Sequence, residues 1–171
     1  MLHLYTGDGK GKTTAAMGLA LRALGHGRRV LVAQFMKNGR SGELEALRRF
    51  KNARVVEIPP TKKFTFQMTD DELAEAKRQQ SVALESLIGF VEDEKPDMTI
   101  LDELAITAHT GLVGNADALR LIDVALQYGE VIVTGRNAPP AIMDRADYVT
   151  EMVKRRHPYD SGVQARKGVE W

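Results

Sequence analysis

The chain has 171 residues, 43% of them hydrophobic and 27% charged, which predicts a single globular domain with a sizeable core. Its 24 lysines and arginines nearly balance 23 aspartates and glutamates, which argues against a general nucleic-acid binder, and the absence of cysteine excludes disulfides and zinc–thiolate sites. No apolar run reaches membrane-spanning length and the N-terminus enters a strand at once, so we expect a cytoplasmic protein without a signal peptide or membrane contact.

The start of the chain carries a phosphate-binding pattern. An apolar run at residues 2–5 predicts a strand, and a turn with three glycines leads into Gly11-Lys12-Thr13 and an alanine-rich helix. Strand, glycine-rich turn, Gly-Lys-Thr and helix in this order are typical of a P-loop, whose backbone N–H groups surround a phosphate chain. We therefore expect Lys12 to neutralise phosphate oxygens and the Thr13 hydroxyl to reach a bound Mg²⁺.

This P-loop is one residue shorter than the standard pattern. G-x-x-x-x-G-K-[ST] requires glycine at position 6, where the chain has Thr6, and its first glycine is Gly7. The alternative interpretation is a glycine-rich turn without a ligand. The strand before the loop and the helix after it favour a phosphate site, so the missing residue bears on how a triphosphate lies there.

The rest of the chain alternates between predicted helices and apolar strands. After a helix at residues 12–24, ended by Gly25 and Gly27, strands are predicted at residues 29–35, 54–58, 98–101, 130–134 and 148–153. Further helices are predicted at residues 43–50, from a Thr69/Glu72 capping box to about residue 91, from an Asn115 cap to about residue 127, and briefly after Pro139 and Pro140.

The apolar character of these strands indicates the fold class. Because they are apolar on both faces, we predict a three-layer α/β fold of the P-loop NTPase (RecA-like) type, with a mostly parallel sheet of about six strands. We expect residues 1–171 to form one domain, with the tail, residues 154–171, as an ordered extension over the site.

Charged residues follow three predicted strands, at the sheet edge where open α/β folds bind ligands. Lys37 and Arg40 follow the second strand and Arg136 follows the fifth, so each could contact phosphate or lie in an ordinary solvated turn or surface ion pair. Asp102 and Glu103 follow the fourth strand, which is the Walker B arrangement of carboxylates that order Mg²⁺ or its waters. The alternative for these two carboxylates is an acid pair at a helix N-terminus.

Two aromatic residues, Phe64 and Phe66, lie in a polar and basic loop at residues 61–68. Aromatic residues of loops often fold back into the core, which is one interpretation. The other is that the two rings form an apolar cover over a flat ligand.

Together these segments resemble the P-loop type of ATP:corrinoid adenosyltransferase (for cob(I)alamin or cob(I)yrinic acid a,c-diamide) over nearly the whole chain. The P-loop alone is generic, but its combination with Thr134-Gly-Arg-Asn-Ala-Pro139 and the tail sequence His157-Pro-Tyr-Asp-Ser-Gly162 is specific. The other matching segments are Arg22-Ala-Leu-Gly-His-Gly27, Gln34-Phe-Met-Lys37, Ser41-Gly-Glu43, Leu101-Asp-Glu-Leu104 and Lys167-Gly-Val-Glu170.

The resemblance implies that the cobalt(I) of a corrinoid attacks C5′ of ATP and that triphosphate leaves, in the biosynthesis or salvage of adenosylcobalamin. ATP would lie reversed in the P-loop, and Mg²⁺ or Mn²⁺, held by Thr13, Asp102 and Glu103, would offset the triphosphate charge together with Arg136. Since cobalt(I) is the nucleophile and no proton is removed, neither a side-chain nucleophile nor a general base is needed. The residues expected to bind ATP are Thr6, Gly7, Asp8, Gly9, Lys10, Gly11, Lys12, Thr13, Thr14, Arg22 and Lys37.

The resemblance also implies that Phe64 and Phe66 close the lower axial face of the corrinoid, because a dry apolar surface there eases reduction of cobalt(II). The family usually has Phe-x-Trp, so we expect a less complete cover here. Asp8 stands where asparagine is usual, and the N-terminal segment that many members carry before the P-loop strand is absent from this sequence. A reduced flavin or flavoprotein is expected as the external electron donor, and a homodimer as the assembly.

Two other functions stay open from the sequence. A P-loop ATPase or kinase would direct attack at phosphorus and yield ADP, but it leaves the loop with Phe64 and Phe66 unexplained. A nucleotide-gated corrinoid carrier would bind both ligands without forming a Co–C bond. The substitution Lys12→Ala separates these functions in part, because transfer should be lost while corrinoid binding without ATP should be spared.

Overall fold

The fold is built on one parallel sheet. The computed structural model describes residues 1–36, 41–61, 63 and 65–170. Its strands are β1 (Leu2–Thr6), β2 (Val30–Gln34), β3 (Ala53–Glu57), β4 (Met98–Asp102), β5 (Glu130–Thr134) and β6 (Tyr148–Glu151). They form a six-stranded sheet in the order β3-β2-β4-β5-β1-β6, and every neighbouring pair is parallel. The predicted α/β fold with a parallel sheet is therefore confirmed.

Helices cover both faces of this sheet. They are α1 (Lys12–Gly25), α2 (Gly42–Leu47), α3 (Asp70–Glu94), α4 (Leu104–His109), α5 (Asn115–Leu126) and α6 (Pro140–Arg145). Helices α1 and α2 pack with Val30 and Val32 of β2, whereas Leu31 and Ala33 belong to a second core with α3, α4, α5 and α6. Successive residues of a strand face opposite cores, which is why both faces are apolar. None of the described helices is long and apolar enough to cross a membrane.

The helix boundaries follow local signals, but α2 ends at Leu47 rather than at residue 50, α3 ends at Glu94 rather than at about residue 91, and one predicted cap is wrong. The capping box of α3 is confirmed, because the Glu72 N–H donates to Thr69 Oγ1 (3.3 Å) and the Thr69 N–H donates to Glu72 Oε2 (3.0 Å). The prediction that Asn115 caps α5 is wrong, since Gly114 is the N-cap residue and Asn115 is the first helical residue. The carbonyl of Gly114 accepts the first helical bond, from the N–H of Ala118 at 2.9 Å, which starts the helix one residue earlier.

One helix was anticipated only in the alternative interpretation of Asp102 and Glu103, as an acid pair at a helix N-terminus, and the structure has a helix there. Helix α4 has only six residues and begins immediately after Glu103, which adopts a left-handed backbone conformation (φ 63°) at the N-cap. Its Leu104 and Ala105 are fully buried against the sheet. A run this short shows too few turns for its apolar period to stand out from a loop. Helix α4 turns the chain away from the sheet directly beside the ends of β4 and β5.

The register of the sheet brings polar residues together at one edge. Gln34, the last residue of β2, pairs with Asp102, the last residue of β4. Leu101 pairs with Val133, so Thr134, the last residue of β5, follows at the same level. All three side chains are buried, although the strands that end in them are otherwise almost entirely apolar. This carboxyl edge therefore carries a buried polar cluster next to the P-loop.

Candidate functional site

A cleft of about 540 Å³ lies at the carboxyl edge of the sheet. One wall is formed by residues 9–14 of the P-loop, and Glu103 and Arg136 line it from the ends of β4 and β5. The tail also lines the cleft, through His157 and residues 168–170. The structure thus brings most of the predicted P-loop residues, Glu103 and Arg136 into one concave site.

The glycines at positions 7 and 9 are required by close packing of the P-loop against the end of β6. A Cβ atom at Gly7 or at Gly9 would lie 2.6 Å from the carbonyl oxygen of Met152, which no side chain tolerates. Gly7 also has a φ of +92°, and the N–H of Gly9 donates to the Met152 carbonyl at 2.6 Å. The segment after β6 therefore packs against the P-loop and fixes its position.

Lys12 is buried beneath the P-loop, with only 7% of its surface exposed. Its Nζ donates to the carbonyl oxygens of Gly7 (2.7 Å) and Gly9 (2.8 Å). These two carbonyl oxygens are the acceptors of the Lys12 ammonium among the described residues. The ammonium has three N–H donors, so one of them is available to a ligand. Burial, with repulsion from Arg136, lowers the pKa of Lys12, and the nearby carboxylates oppose this shift.

Asp102 is fully buried and joins the P-loop to the ends of the strands. Its Oδ1 accepts hydrogen bonds from the hydroxyls of Thr13 (2.8 Å) and Thr134 (2.7 Å), and its Oδ2 accepts one from Nε2 of Gln34 (2.8 Å). The backbone N–H of Glu103 donates in turn to Thr134 Oγ1 at 2.9 Å. The carboxylate thus fixes the Thr13 side chain at the start of α1.

Two of the predicted metal ligands, Thr13 and Glu103, line the cleft, and the third, Asp102, lies buried next to Thr13. Thr13 Oγ1 is 2.8 Å from Asp102 Oδ1, and Glu103 lines the same cleft. Hydroxyl and carboxylate oxygens are the donors that Mg²⁺ prefers, so this donor set fits the ion. The described residues contain no group of three or more His, Cys, Asp or Glu able to hold a metal by themselves. Mg²⁺ would therefore need ligand oxygens as well, as is usual where it binds with phosphates.

The remaining predicted ATP-binding residues are placed differently from one another. Thr6 is buried at the end of β1 and Asp8 is exposed on the P-loop, and neither lines the cleft. Arg22 is exposed in the last turn of α1, whose axis leads away from the cleft by about 1.5 Å per residue.

No ion pair joins Arg136 to another described residue, so the surface salt bridge considered for it is not seen there. Lys37 lies outside the described residues, as does Arg40.

The loop after β3 does not fold its described aromatic residue into the core. Phe66 lies in a single helical turn, Thr65–Gln67, and is 81% exposed, so core packing is ruled out for this ring. Phe64 lies outside the described residues. The loop and α3 enclose a second concavity of about 460 Å³, lined by Pro60, Met68 and Gln80 among others. The Nε2 of Gln80 donates to the Pro59 carbonyl (2.8 Å) and ties the loop to α3.

Several residues of the cleft were missed by the sequence analysis as individual ligands. Glu43, His157 and Glu170 line it, although only the motifs containing them were noted. Gln34 and Thr134 were not identified as partners of Asp102. The available signal was that each is the polar last residue of an apolar strand, and parallel strands end at one common edge.

The chain is similar to known proteins along its whole length. Residues 1–171 match the family model described as ATP:corrinoid adenosyltransferase BtuR/CobO/CobP. A corrinoid adenosyltransferase of Pseudomonas aeruginosa is 36% identical over 174 residues, covering 100% of this chain and 83% of the relative. Another, of a Sinorhizobium species, is 32% identical over 175 residues (100% and 80%), and the corrinoid adenosyltransferase CobA of Salmonella typhimurium is 31% identical over 180 residues (100% and 85%). Each alignment spans the whole chain, P-loop and tail included.

Proposed function

The chain belongs to the ATP:corrinoid adenosyltransferase family and is such an enzyme, and we propose that it transfers the 5′-deoxyadenosyl group of ATP to the cobalt(I) of a corrinoid and releases triphosphate. The observation that carries this proposal is the cleft between P-loop and tail in a chain that matches the family along its full length. In the reaction, an electron pair of cobalt(I) forms the Co–C5′ bond, the C5′–O bond breaks, and the triphosphate leaves with that bond's electrons.

The cations of the cleft support a triphosphate site. Lys10, Lys12 and Arg136 line one continuous surface with the start of α1, where backbone N–H groups lack helical partners. Lys12 is held by two loop carbonyls, so its charge needs little reorganisation when negative charge builds on the leaving triphosphate. On the family resemblance we propose that ATP lies in reverse orientation in the P-loop, and the shortened loop supports this proposal.

Mg²⁺, or Mn²⁺ with its similar preference for oxygen, would be held by Thr13, Asp102 and Glu103. When bound, the ion would supply positive charge against the triphosphate. Asp102 is buried and already accepts three hydrogen bonds, so we propose that it orients the Thr13 hydroxyl and any metal-bound water. Glu103 lines the cleft, so we propose it as the carboxylate that lies closer to the phosphates.

The corrinoid is proposed to lie over the loop after β3. The exposed ring of Phe66 offers an apolar surface in that loop, and we propose that it acts with Phe64 to cover the lower axial face of the cobalt. Strand β3 ends at the same edge of the sheet as the P-loop strand, which places this loop on the ligand side. A reduced flavin or flavoprotein is proposed as the electron donor, and a homodimer as the assembly, on family resemblance.

The function is tested by an anaerobic incubation of the protein with ATP, Mg²⁺ and chemically reduced cobalamin. The visible spectrum is followed and the phosphate product identified. A light-sensitive alkylcobalamin together with free triphosphate is the expected result, since it places attack at C5′. ADP and phosphate with an unchanged corrinoid spectrum would indicate an ATPase instead. A spectral shift on mixing without any product would indicate a corrinoid carrier.

Nucleotide binding should take up a proton at alkaline pH. In the free protein the pKa of Lys12 is lowered, mainly by burial, and a triphosphate beside Nζ would raise this pKa because it favours the charged form. Between the two pKa values the free protein has lost a proton that the complex retains. The affinity for ATP is therefore full below the lowered pKa and falls as the pH rises through it.

Calorimetry in two buffers of different ionisation enthalpy measures this proton uptake directly. The Lys12→Ala variant is the control, because it lacks the titrating group. Equal uptake in Lys12→Ala and in the unchanged protein would assign the proton to another residue.

A further inference from the structure

The second concavity, between the loop after β3 and α3, contains a buried hydrogen-bond acceptor without a partner. Gln80 of α3 lines this concavity and is only 2% exposed. Its Nε2 donates to the Pro59 carbonyl at 2.8 Å, which fixes the orientation of the amide because a carbonyl oxygen can only accept. The other end of the amide, Oε1, has no hydrogen-bond partner among the described residues.

The unpaired oxygen of Gln80 is exceptional in this molecule. Within the part of the chain that the structure describes, it is the only buried side-chain nitrogen or oxygen that lacks a partner. A buried acceptor in this state destabilises the free protein, and a ligand that donates a hydrogen bond to it removes the penalty. Because the oxygen is covered in the free protein, such a ligand reaches it by displacing part of the loop.

The charged groups around the concavity also favour a ligand that donates hydrogen bonds. The carboxylates of Asp71, Glu72 and Glu75 line it, and the ammonium of Lys63, which lines it too, pairs with Glu72. Hydrogen bonds from Lys63 and Arg78 lower the pKa values of Glu72 and Glu75, respectively, so both carboxylates are ionised at neutral pH. No metal-binding group of His, Cys, Asp or Glu occurs among the described residues, so an organic donor fits this site better than an ion.

A corrinoid carries such donors around its rim. Its acetamide and propionamide side chains end in N–H₂ groups, whereas less complete precursors have free carboxylates at some of these positions. Carboxylates only accept hydrogen bonds, and the acidic lining would repel them. Lys63 and Met68 of the concavity flank Phe66 in the same loop, so a corrinoid lying against Phe66 has its side chains beside the concavity.

We infer that the second concavity binds a carboxamide side chain of the corrinoid, whose N–H donates to Gln80 Oε1, and that the enzyme therefore prefers amidated corrinoids to precursors with free carboxylates. Gln80 is then a specificity-determining residue. This inference rests on the proposed use of a corrinoid, but it is tested by binding without ATP. Adenosyl transfer is assayed separately, so a failure of the proposed reaction and a failure of this inference are distinguishable.

The experiment compares three derivatives of one corrin, namely the heptaamide, the heptamethyl ester and the free heptaacid of cobyrinic acid, each as the cobalt(II) form. The ester is uncharged like the amide but has no N–H donor on its side chains, so the pair isolates the hydrogen bond from charge. Affinities are measured by anaerobic equilibrium dialysis. In Gln80→Met, which keeps the length of the side chain but removes the acceptor, the ratio of amide to ester affinity should fall on the order of 5- to 10-fold.

The control is Gln127→Met, which changes an exposed glutamine at the end of α5, outside the concavity, and should leave this ratio unchanged. Gln80→Met also loses the bond to Pro59, but a general loosening of the loop would weaken both ligands and cancel in the ratio. An unchanged ratio in Gln80→Met would make Gln80 a structural link alone and overturn the inference. Tighter binding of the heptaacid than of the heptaamide to the unchanged protein would overturn it as well.

Discussion

Replacing Lys12 with alanine should lower the rate of adenosyl transfer by on the order of 100- to 1,000-fold. The Lys12 ammonium is the charge that the P-loop itself encloses, with Nζ bonded to the carbonyls of Gly7 and Gly9. Losing it removes a preorganised positive charge from the site where the leaving triphosphate becomes more negative. The expected loss therefore appears in kcat, and also in the affinity for ATP because the ground state carries charge as well.

The measurement is single-turnover formation of the Co–C bond at saturating reduced corrinoid. Lys77→Ala is the matched control, since Lys77 is exposed on α3 away from the cleft and its removal changes the net charge equally. Corrinoid binding without ATP should be the same in all three proteins. Full transfer activity in Lys12→Ala would show that the P-loop does not hold the leaving group.

Most of the strands could be predicted from the sequence because they are apolar runs bounded by turn residues, whereas β6 is exposed at all four of its positions. Their order in the sheet could not, since no local signal places β1 between β5 and β6. The error at Asn115 has a similar cause, because the start of α5 depends on which carbonyl accepts the first helical bond, here that of Gly114. Local chemistry indicates that a cap is near but leaves its position uncertain by a residue.

The residues of the candidate site also differ in how far the sequence predicts them. The P-loop and Asp102 could be predicted because local motifs carry them. Glu170 could not be assigned a place, because the tail lies beside the P-loop in the cleft only in the folded chain. Thr134 was seen within a motif, but its bond to Asp102 depends on β4 and β5 being neighbours. Contacts between residues that are far apart in the sequence could therefore be identified only from the folded structure.

Replacing Asp102 with asparagine should impair both stability and activity, because one carboxylate serves both. Three of its described partners are donors, namely the hydroxyls of Thr13 and Thr134 and the amide of Gln34. An asparagine amide presents one oxygen and one N–H₂ group, so it cannot accept hydrogen bonds at both positions as the carboxylate does. If the oxygen faces the hydroxyls, the N–H₂ faces the Gln34 amide N–H₂; if the N–H₂ faces the hydroxyls, they can rotate to accept, but their own hydrogens then lose the buried acceptor that Asp102 provided. The free energy of unfolding should fall by about 1–3 kcal/mol.

The loss of stability is measured by denaturant and thermal unfolding, where about 2–4 °C in Tm is expected per kcal/mol for a chain of this size. Activity should fall through a separate route, since the Thr13 hydroxyl loses the partner that orients it toward the proposed metal site. The Mg²⁺ concentration needed for half-maximal transfer should rise by on the order of 10- to 100-fold. Asp123→Asn is the control, because it neutralises an exposed aspartate that pairs with Arg145 on the surface and should change neither quantity.

The two effects of Asp102→Asn can be separated by temperature. Stability changes matter for the rate only where an appreciable fraction of the variant is unfolded, so assays well below its Tm report on the site alone. There the increased requirement for Mg²⁺ should persist, because it originates in the orientation of Thr13 rather than in global unfolding. If the variant is destabilised but its Mg²⁺ dependence is unchanged, the role of Asp102 is only to link the ends of the strands. The carboxylate would then take no part in the proposed metal site.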